Sequence, residues 1–224
     1  MTRQYEGIVI RQTKTTGGRR MLVIFTREEG KLSAGTHISE KSKGGGALAI
    51  RPFAYGNYTI TERRADMLSV SSAEALDAHF ALGEDADRFA EASYALEFTD
   101  RLLPEGVRAQ QVFDLLREYL AMLSGRKADF RLLTISYMVK VMQEHGVFPD
   151  AASLAEGELL TGLNGDILDV LAFITEQPMG RMDALTLDGG KERAVFGAVK
   201  SFAYGHLDLG TIKSERMLAQ GKKV

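Results

Sequence analysis

The chain has 224 residues, 45% hydrophobic and 26% charged, which suits a packed globular protein of one large or two small domains and excludes wholesale disorder. It contains no cysteine, so disulfides, thiolate nucleophiles, iron–sulfur clusters and cysteine-based zinc sites are excluded together. The net charge of -2 is unevenly spread: residues 1–72 hold 12 Lys/Arg against 6 Asp/Glu, and the 152 that follow hold 16 against 24.

The first segments read as short strands. Tyr5 to Arg11 alternates, with Ile8 and Ile10 on one face and Tyr5, Gly7 and Val9 on the other. Lys14 to Arg20 is a glycine-containing turn rich in positive charge, and Met21 to Thr26 is a β-branched and aromatic run. Arg27 to Gly30 turns the chain into a third strand, Lys31 to Ile38, where the glycine supplies a positive φ. A polar loop, SEKSKGGG, precedes strands at Pro52 to Thr61 and Met67 to Val70. Five short strands with one long basic loop fit a small closed barrel of the oligonucleotide-binding type over residues 1–72.

From residue 73 to 224 the period becomes helical. Ser71 and Ser72 are expected to cap a helix starting near Ala73, with Glu74 in its first turn. Phe89, Ala92, Leu96 and Leu103 share a face of the next stretch, which ends at Pro104-Glu105-Gly106, and Glu84, Asp85 and Asp87 suit a helix start. Val112, Leu115, Leu116, Tyr119, Leu120 and Leu123 form a stripe stopped by Ser124-Gly125. Phe130 to Met142 is apolar almost all round and belongs at the centre of a helical bundle, with Gly146 and Pro149 ending it. Further helices are expected around Ile167, Leu168, Leu171 and Ile174, and around Val195, Val199, Phe202 and Leu207. Asp150 to Gly165 is the least core-like part, Lys213 to Leu218 a last helical turn, and QGKKV a frayed tail. The fold class is therefore α+β: a five-stranded barrel, then an all-α bundle.

Several chemistries lack their residues. Gly30-Lys31-Leu32-Ser33 is not a phosphate loop, because position 25 is Phe and Leu32 follows the lysine. Lys43-Gly44-Gly45-Gly46 is either a plain surface loop or one that orders on a phosphate through its main-chain N–H groups. His37, His79, His145 and His206 are far apart with no metal-ligand spacing, and no acid–base or nucleophile set is apparent, so neither cofactor nor enzymatic activity is expected. No apolar run reaches the ~18 residues of a membrane span, and the N-terminus lacks a secretory signal, which points to the cytoplasm.

The basic residues carry the functional lead. Lys14, Arg19 and Arg20 lie in the first turn, Arg27 and Lys31 flank the second, and Lys41, Lys43 and Arg51 lie along the long loop. In a small barrel such loops converge, so these charges are expected to line a groove for a polyanionic strand. Among Tyr5, Phe25, Phe53, Tyr55 and Tyr58, strand alternation buries most and leaves one or two to stack on bases. A second expectation places an apolar peptide groove in the helical part, edged by Arg126, Lys127 and Arg131. A third is an RNA- or ribosome-associated barrel, since this fold does not choose between nucleic acids.

The residues also resemble a known family. Glu6-Gly7-Ile8-Val9, Thr26-Arg27-Glu28 with Gly30-Lys31, and Pro52-Phe53 with Tyr55-Gly56 are similar to the N-terminal barrel of the recombination mediator RecO. Ala92-Ser93-Tyr94 with Asp100-Arg101 resembles its first long helix, and Lys213-Ser214 with Arg216 and Leu218 its C-terminal signature. The resemblance implies a non-enzymatic protein of recombinational repair that binds single- and double-stranded DNA, anneals strands, and helps RecR load RecA onto strands coated with single-strand-binding protein. The acidic tail of that coating protein is the peptide it suggests for the helical groove. It places Arg27 and Lys31 in the family's matching turn, and Lys41 and Lys43 in its basic loop. Many relatives carry a four-cysteine zinc knuckle after the positions of Gly146 and Pro149; this chain has no cysteine, so none is expected.

Overall fold

A computed structural model describes residues 1–15, 19–39, 45–62, 67–127, 129–156 and 163–218. Lys41, Lys43, Gly44 and the QGKKV tail lie outside the described residues. Strands β1 (Thr2–Lys14), β2 (Arg20–Thr26), β3 (Gly30–Thr36), β4 (Tyr55–Glu62) and β5 (Leu68–Asp77) form a closed barrel in the order β1-β2-β3-β5-β4. All pairings are antiparallel except β3 with β5, and β1–β4 pairing closes the ring. Helix α1 (Gly46–Ala49), unforeseen in the sequence, lies between β3 and β4. Its Ala49 and the following Ile50 are fully buried with the barrel interior, and the Tyr58 hydroxyl donates to the Ala49 carbonyl at 2.7 Å.

The alternation expected in β1 is present, but both of its faces are buried. Tyr5 and Val9 point into the barrel with Leu22, Ile24, Tyr58, Ile60 and Val70. Ile8 and Ile10, with Val23 and Phe25 of β2, point outward into a core shared with the helices. A β-bulge between Val9 and Arg11 re-aims the end of β1, as an inserted residue bends a strand and raises its twist. The turn Arg51–Ala54 is fastened to that bulge: the Val9 N–H donates to the Ala54 carbonyl and the Phe53 N–H to the Val9 carbonyl, both at 3.0 Å.

The helix expected from Ala73 is absent. Ser71 to Asp77 continues β5, with Ala73 opposite Tyr58 and Glu74 opposite Asn57 on β4. Cross-strand pairing outweighs the weak capping signal of two serines, and the strand carries the barrel past residue 72. After a 3-10 turn, Phe80–Gly83, the first long helix is α2 (Ala86–Leu102), capped by the Asp85 carboxylate, which accepts from the Arg88 N–H at 2.8 Å. Asp87 then sits in the first turn, as the acidic cluster implied.

Helices α3 (Gln110–Gly125) and α4 (Phe130–Glu144) follow, then α5 (Ala151–Glu156), α6 (Gly165–Glu176), α7 (Gly189–His206) and α8 (Glu215–Leu218). The apolar run of α4 is central as expected: Leu132 to Val139 is buried at every position, and α4 packs on α2, α3, α6 and α7. Two of its buried polar groups are paired across the bundle, Thr134 with the Tyr119 hydroxyl at 2.8 Å and Tyr137 with Thr99 at 2.5 Å. The segment expected to be least core-like contributes α5, whose Leu154 is buried in the core. The apolar stripe assigned to α2 is right for Ala92, Leu96 and Leu103; Phe89 instead is 37% exposed.

Candidate nucleic-acid interface and the domain junction

The structure divides the candidate cations between opposite ends of the barrel. Arg27 and Lys31 belong to the β2–β3 turn, which is pressed against the helical part. Gly30 makes that approach possible. Its φ is +75°, and a Cβ there would stand 2.0 Å from the Val107 carbonyl oxygen, so no side chain fits. The Gly106 N–H donates to the Lys31 carbonyl at 3.0 Å, and the Ser33 hydroxyl donates to Glu105 at 2.5 Å.

Lys31 is the main correction to the expected site. Its side chain is 8% exposed and its ammonium lies 2.9 Å from the Asp100 carboxylate of α2, donating also to the Asp100 carbonyl. Asp100 pairs through its other oxygen with Arg11, at 3.2 Å. A lysine so enclosed is taken up in neutralising a carboxylate. Arg27 is drawn the same way, with Asp114 of α3 at 3.2 Å and Glu6 at 3.7 Å. The Tyr55 hydroxyl donates to Glu6 at 2.7 Å, and the Arg117 guanidinium stacks over the Tyr55 ring. These two cations join the domains.

At the opposite end, Lys14 and Arg20 stand across from each other on β1 and β2. The turn between them is closed by the Thr15 N–H and hydroxyl, which donate to the Arg19 carbonyl at 2.8 and 2.9 Å. The Arg19 guanidinium lies against the β3 backbone at Gly35, where a Cβ would meet it at 2.7 Å. Arg51 is exposed and follows Ile50, whose carbonyl accepts from the Gln12 amide at 3.0 Å. The structure thus brings together Lys14, Arg19 and Arg20, holds Arg51 nearby through Gln12, and separates this group from Arg27 and Lys31. Of the aromatics, Phe25 and Tyr58 are fully buried, Tyr5 and Phe53 nearly so, and Tyr55 belongs to the junction.

Two of the three helical cations expected to edge a peptide groove are engaged within the bundle. Arg131 is 16% exposed, pairs with the buried Glu91 at 2.5 Å and lies over the Phe196 ring. Arg126 is 9% exposed and pairs with Asp183 at 2.7 Å, which leaves Lys127 alone of the three as an exposed charge. Both arginines brace the bundle internally. The four histidines remain scattered, and among the described residues no cluster of three or more His, Asp or Glu is arranged to hold a metal.

The sequence reading missed a different grouping. Arg11, Arg101 and Lys213 gather with Arg51 and Phe89 around a cleft between the barrel and α2. Half of it is legible as a helical stripe, since Phe89, Ser93, Leu96, Glu97 and Asp100 follow one another at helical spacing. Lys213 arrives from the far end of the chain. The Glu97 carboxylate draws it in, accepting from the Lys213 N–H at 2.9 Å and from the Ser214 N–H and hydroxyl at 2.8 and 2.7 Å. Partial burial pushes the Glu97 carboxyl up, but these donors and Arg101 outweigh it and hold the group below its ordinary value.

The geometry defines a two-domain protein: an oligonucleotide-binding-type barrel welded by ion pairs and a shared apolar core to a helical bundle. A family model described as Recombination protein O N terminal matches residues 1–79, and one described as Recombination protein O C terminal matches residues 83–158. The chain belongs to the RecO family. It is 27% identical over 148 residues to the DNA repair protein RecO of Alkaliphilus metalliredigens, covering 66% of this chain and 60% of that one. To the DNA repair protein RecO of Desulforudis audaxviator it is 25% identical over 229 aligned positions, covering 92% of each. The relative of that name in Myxococcus xanthus is 29% identical over 62% of this chain and 57% of its own length. The match to the Alkaliphilus, Pelotomaculum and Thermoanaerobacter relatives spans 60%, 55% and 58% of their lengths. None of the helices, among the described residues, is long and apolar enough to cross a membrane.

Proposed function

We propose that this protein is a non-catalytic, cytoplasmic mediator of recombinational DNA repair, which binds single- and double-stranded DNA at the Lys14–Arg20 end of its barrel. Membership of the RecO family together with the cationic barrel end carries this reading. Strand annealing then needs no bond chemistry: cations that screen two phosphate backbones at one surface lower their repulsion and let pairing proceed. Cooperation with RecR in loading RecA onto strands coated by single-strand-binding protein belongs to the same proposal.

The reading assigns contact with phosphate to Lys14, Arg19, Arg20 and Arg51, joined by Lys41 and Lys43, and withdraws it from Arg27 and Lys31. Its test is the salt dependence of binding. Anisotropy of a labelled single strand is measured for the full chain and for a Lys14→Glu, Lys41→Glu, Lys43→Glu variant. The slope of log affinity against log salt should fall by about 0.7 for each phosphate that is no longer neutralised. Unchanged affinity and slope refute the site. A matched RNA strand titrated in parallel separates the DNA reading from the RNA-associated one.

A further inference from the structure

The cleft between barrel and bundle, about 670 Å³ in volume, has a composition suited to more than packing. That size is typical of pockets that hold a small molecule or one group of a larger one. Ile10 and Phe53 from the barrel and Phe89 and Leu96 from α2 make its apolar lining. Phe53 holds a φ of +74°, a conformation that strains a residue with a Cβ and recurs at ligand-holding sites. The two hydrogen bonds that clasp its turn to the β1 bulge keep it there, and its ring meets Phe89 edge-on, with centroids 5.5 Å apart and planes at 86°.

Charge around the rim favours an anion. Arg11 and Arg101 are balanced by Asp100 and Glu97, at 3.2 and 3.7 Å. Arg51 and Lys213 are exposed and have no carboxylate partner among the described residues, so they supply the uncompensated charge. Two uncharged polar groups, the Gln12 amide and the Ser93 hydroxyl, also line the space. Gln12 lies two residues before Lys14 on β1, so the cleft opens beside the cationic barrel end. An apolar slot with an exposed aromatic ring, hydrogen-bonding groups along its wall and a positive rim matches one nucleotide, a flat base with its phosphate outside.

We propose that this cleft receives a base from a bound single strand, held beside Phe89 with the flanking phosphates on Arg51 and Lys213. The inference rests on the DNA-binding reading above and deepens it, since backbone contacts at the barrel end do not by themselves require a base. Stacking on one aromatic ring is tolerant of base identity, so the site would anchor a strand without selecting its sequence.

The test compares two labelled strands of equal length, one of thymidines and one of abasic sites, against the full chain by anisotropy. The thymidine strand is expected to bind about tenfold more tightly, the scale of one base stacked on one aromatic ring. Phe89→Ala should erase that ratio while the abasic strand binds as before. Phe89 is partly exposed, so its truncation spares the fold; Ser93→Phe, which fills the cleft without removing the ring, is an independent variant with the same expected loss. Equal binding of both strands by the unaltered chain overturns the cleft assignment and leaves backbone binding standing. Failure to bind either strand overturns both. An oligoglutamate peptide bearing one phenylalanine, if bound by the unaltered chain but not by Ser93→Phe with the strand ratio unaffected, gives the cleft to a protein partner and overturns the inference.

Discussion

Removing Asp100 tests the junction most directly. Its carboxylate lies 2.9 Å from the Lys31 ammonium, and the two side chains are 12% and 8% exposed. At an effective dielectric of about 20 the attraction at that distance is roughly 6 kcal/mol, most of it offset by the cost of taking both charges out of water. The intact pair therefore adds little net stability. Asp100→Ala strands the lysine, and breaking a buried pair on one side costs about 3–5 kcal/mol. Arg11, 55% exposed, adds under ~1 kcal/mol. Urea unfolding followed by tyrosine fluorescence and far-ultraviolet circular dichroism measures the loss. The double variant Lys31→Met with Asp100→Leu should be more stable than Asp100→Ala, because no charge is left unpaired. An Asp100→Ala cost below about 1 kcal/mol, or a double variant worse than the single, refutes the argument that burial governs this pair. Lys31→Met should also leave the affinity of the folded protein for DNA unchanged; a large loss would return Lys31 to the phosphate-contacting set.

Three further outcomes follow from the geometry. Gly30→Ala should cost more than about 2 kcal/mol, through positive-φ strain and the collision with Val107; a melting temperature equal to that of the unaltered chain would contradict it. Phe25 is fully buried and packs edge-on against Phe113 of α3, with centroids 5.5 Å apart. Phe25→Ala should cost about 3–5 kcal/mol and lower barrel and bundle together in one transition; two separate transitions would show that they do not share a core. Glu97 titrates below its ordinary value when folded, so what it contributes is present above the unfolded pKa and disappears as pH falls through the folded one. Hydrogen-exchange protection at Lys213 and Ser214 should hold at neutral pH and decline as pH falls through and below the ordinary carboxylate range, and Glu97→Gln should weaken it already at neutral pH. Protection that is flat across that range would remove Glu97 as the anchor of the C-terminal segment.

Local pattern and tertiary partnership divide the rest. Alternation in β1, the β-branched and aromatic run of β2 and the glycine turn at Gly30 set the barrel's strands, and the all-round apolar run Phe130 to Met142 marked its helix as central, because each pattern fits few ways of burying apolar surface. The pattern misled at Ser71 to Asp77, where two serines with Glu74 just after them read as a capped helix start. Pairing with β4, the strand just before it in the chain, made them strand. Helix α1 was invisible for a related reason: four residues carry no period, and its place depends on a barrel mouth needing a plug.

Charge shows the same division more sharply. The sequence determined how many cations the barrel has and that several sit in turns. Only the folded chain decided which of them stay free, since a lysine on an exposed turn and a lysine under a helix look alike in one dimension. Lys31 meets Asp100 69 positions away, and Lys213 reaches the cleft because Glu97, 116 positions earlier, collects its backbone N–H. Side-chain type is a local property; whether a charge is spent on a carboxylate or left for a ligand depends on what the tertiary fold sets within about 4 Å of it.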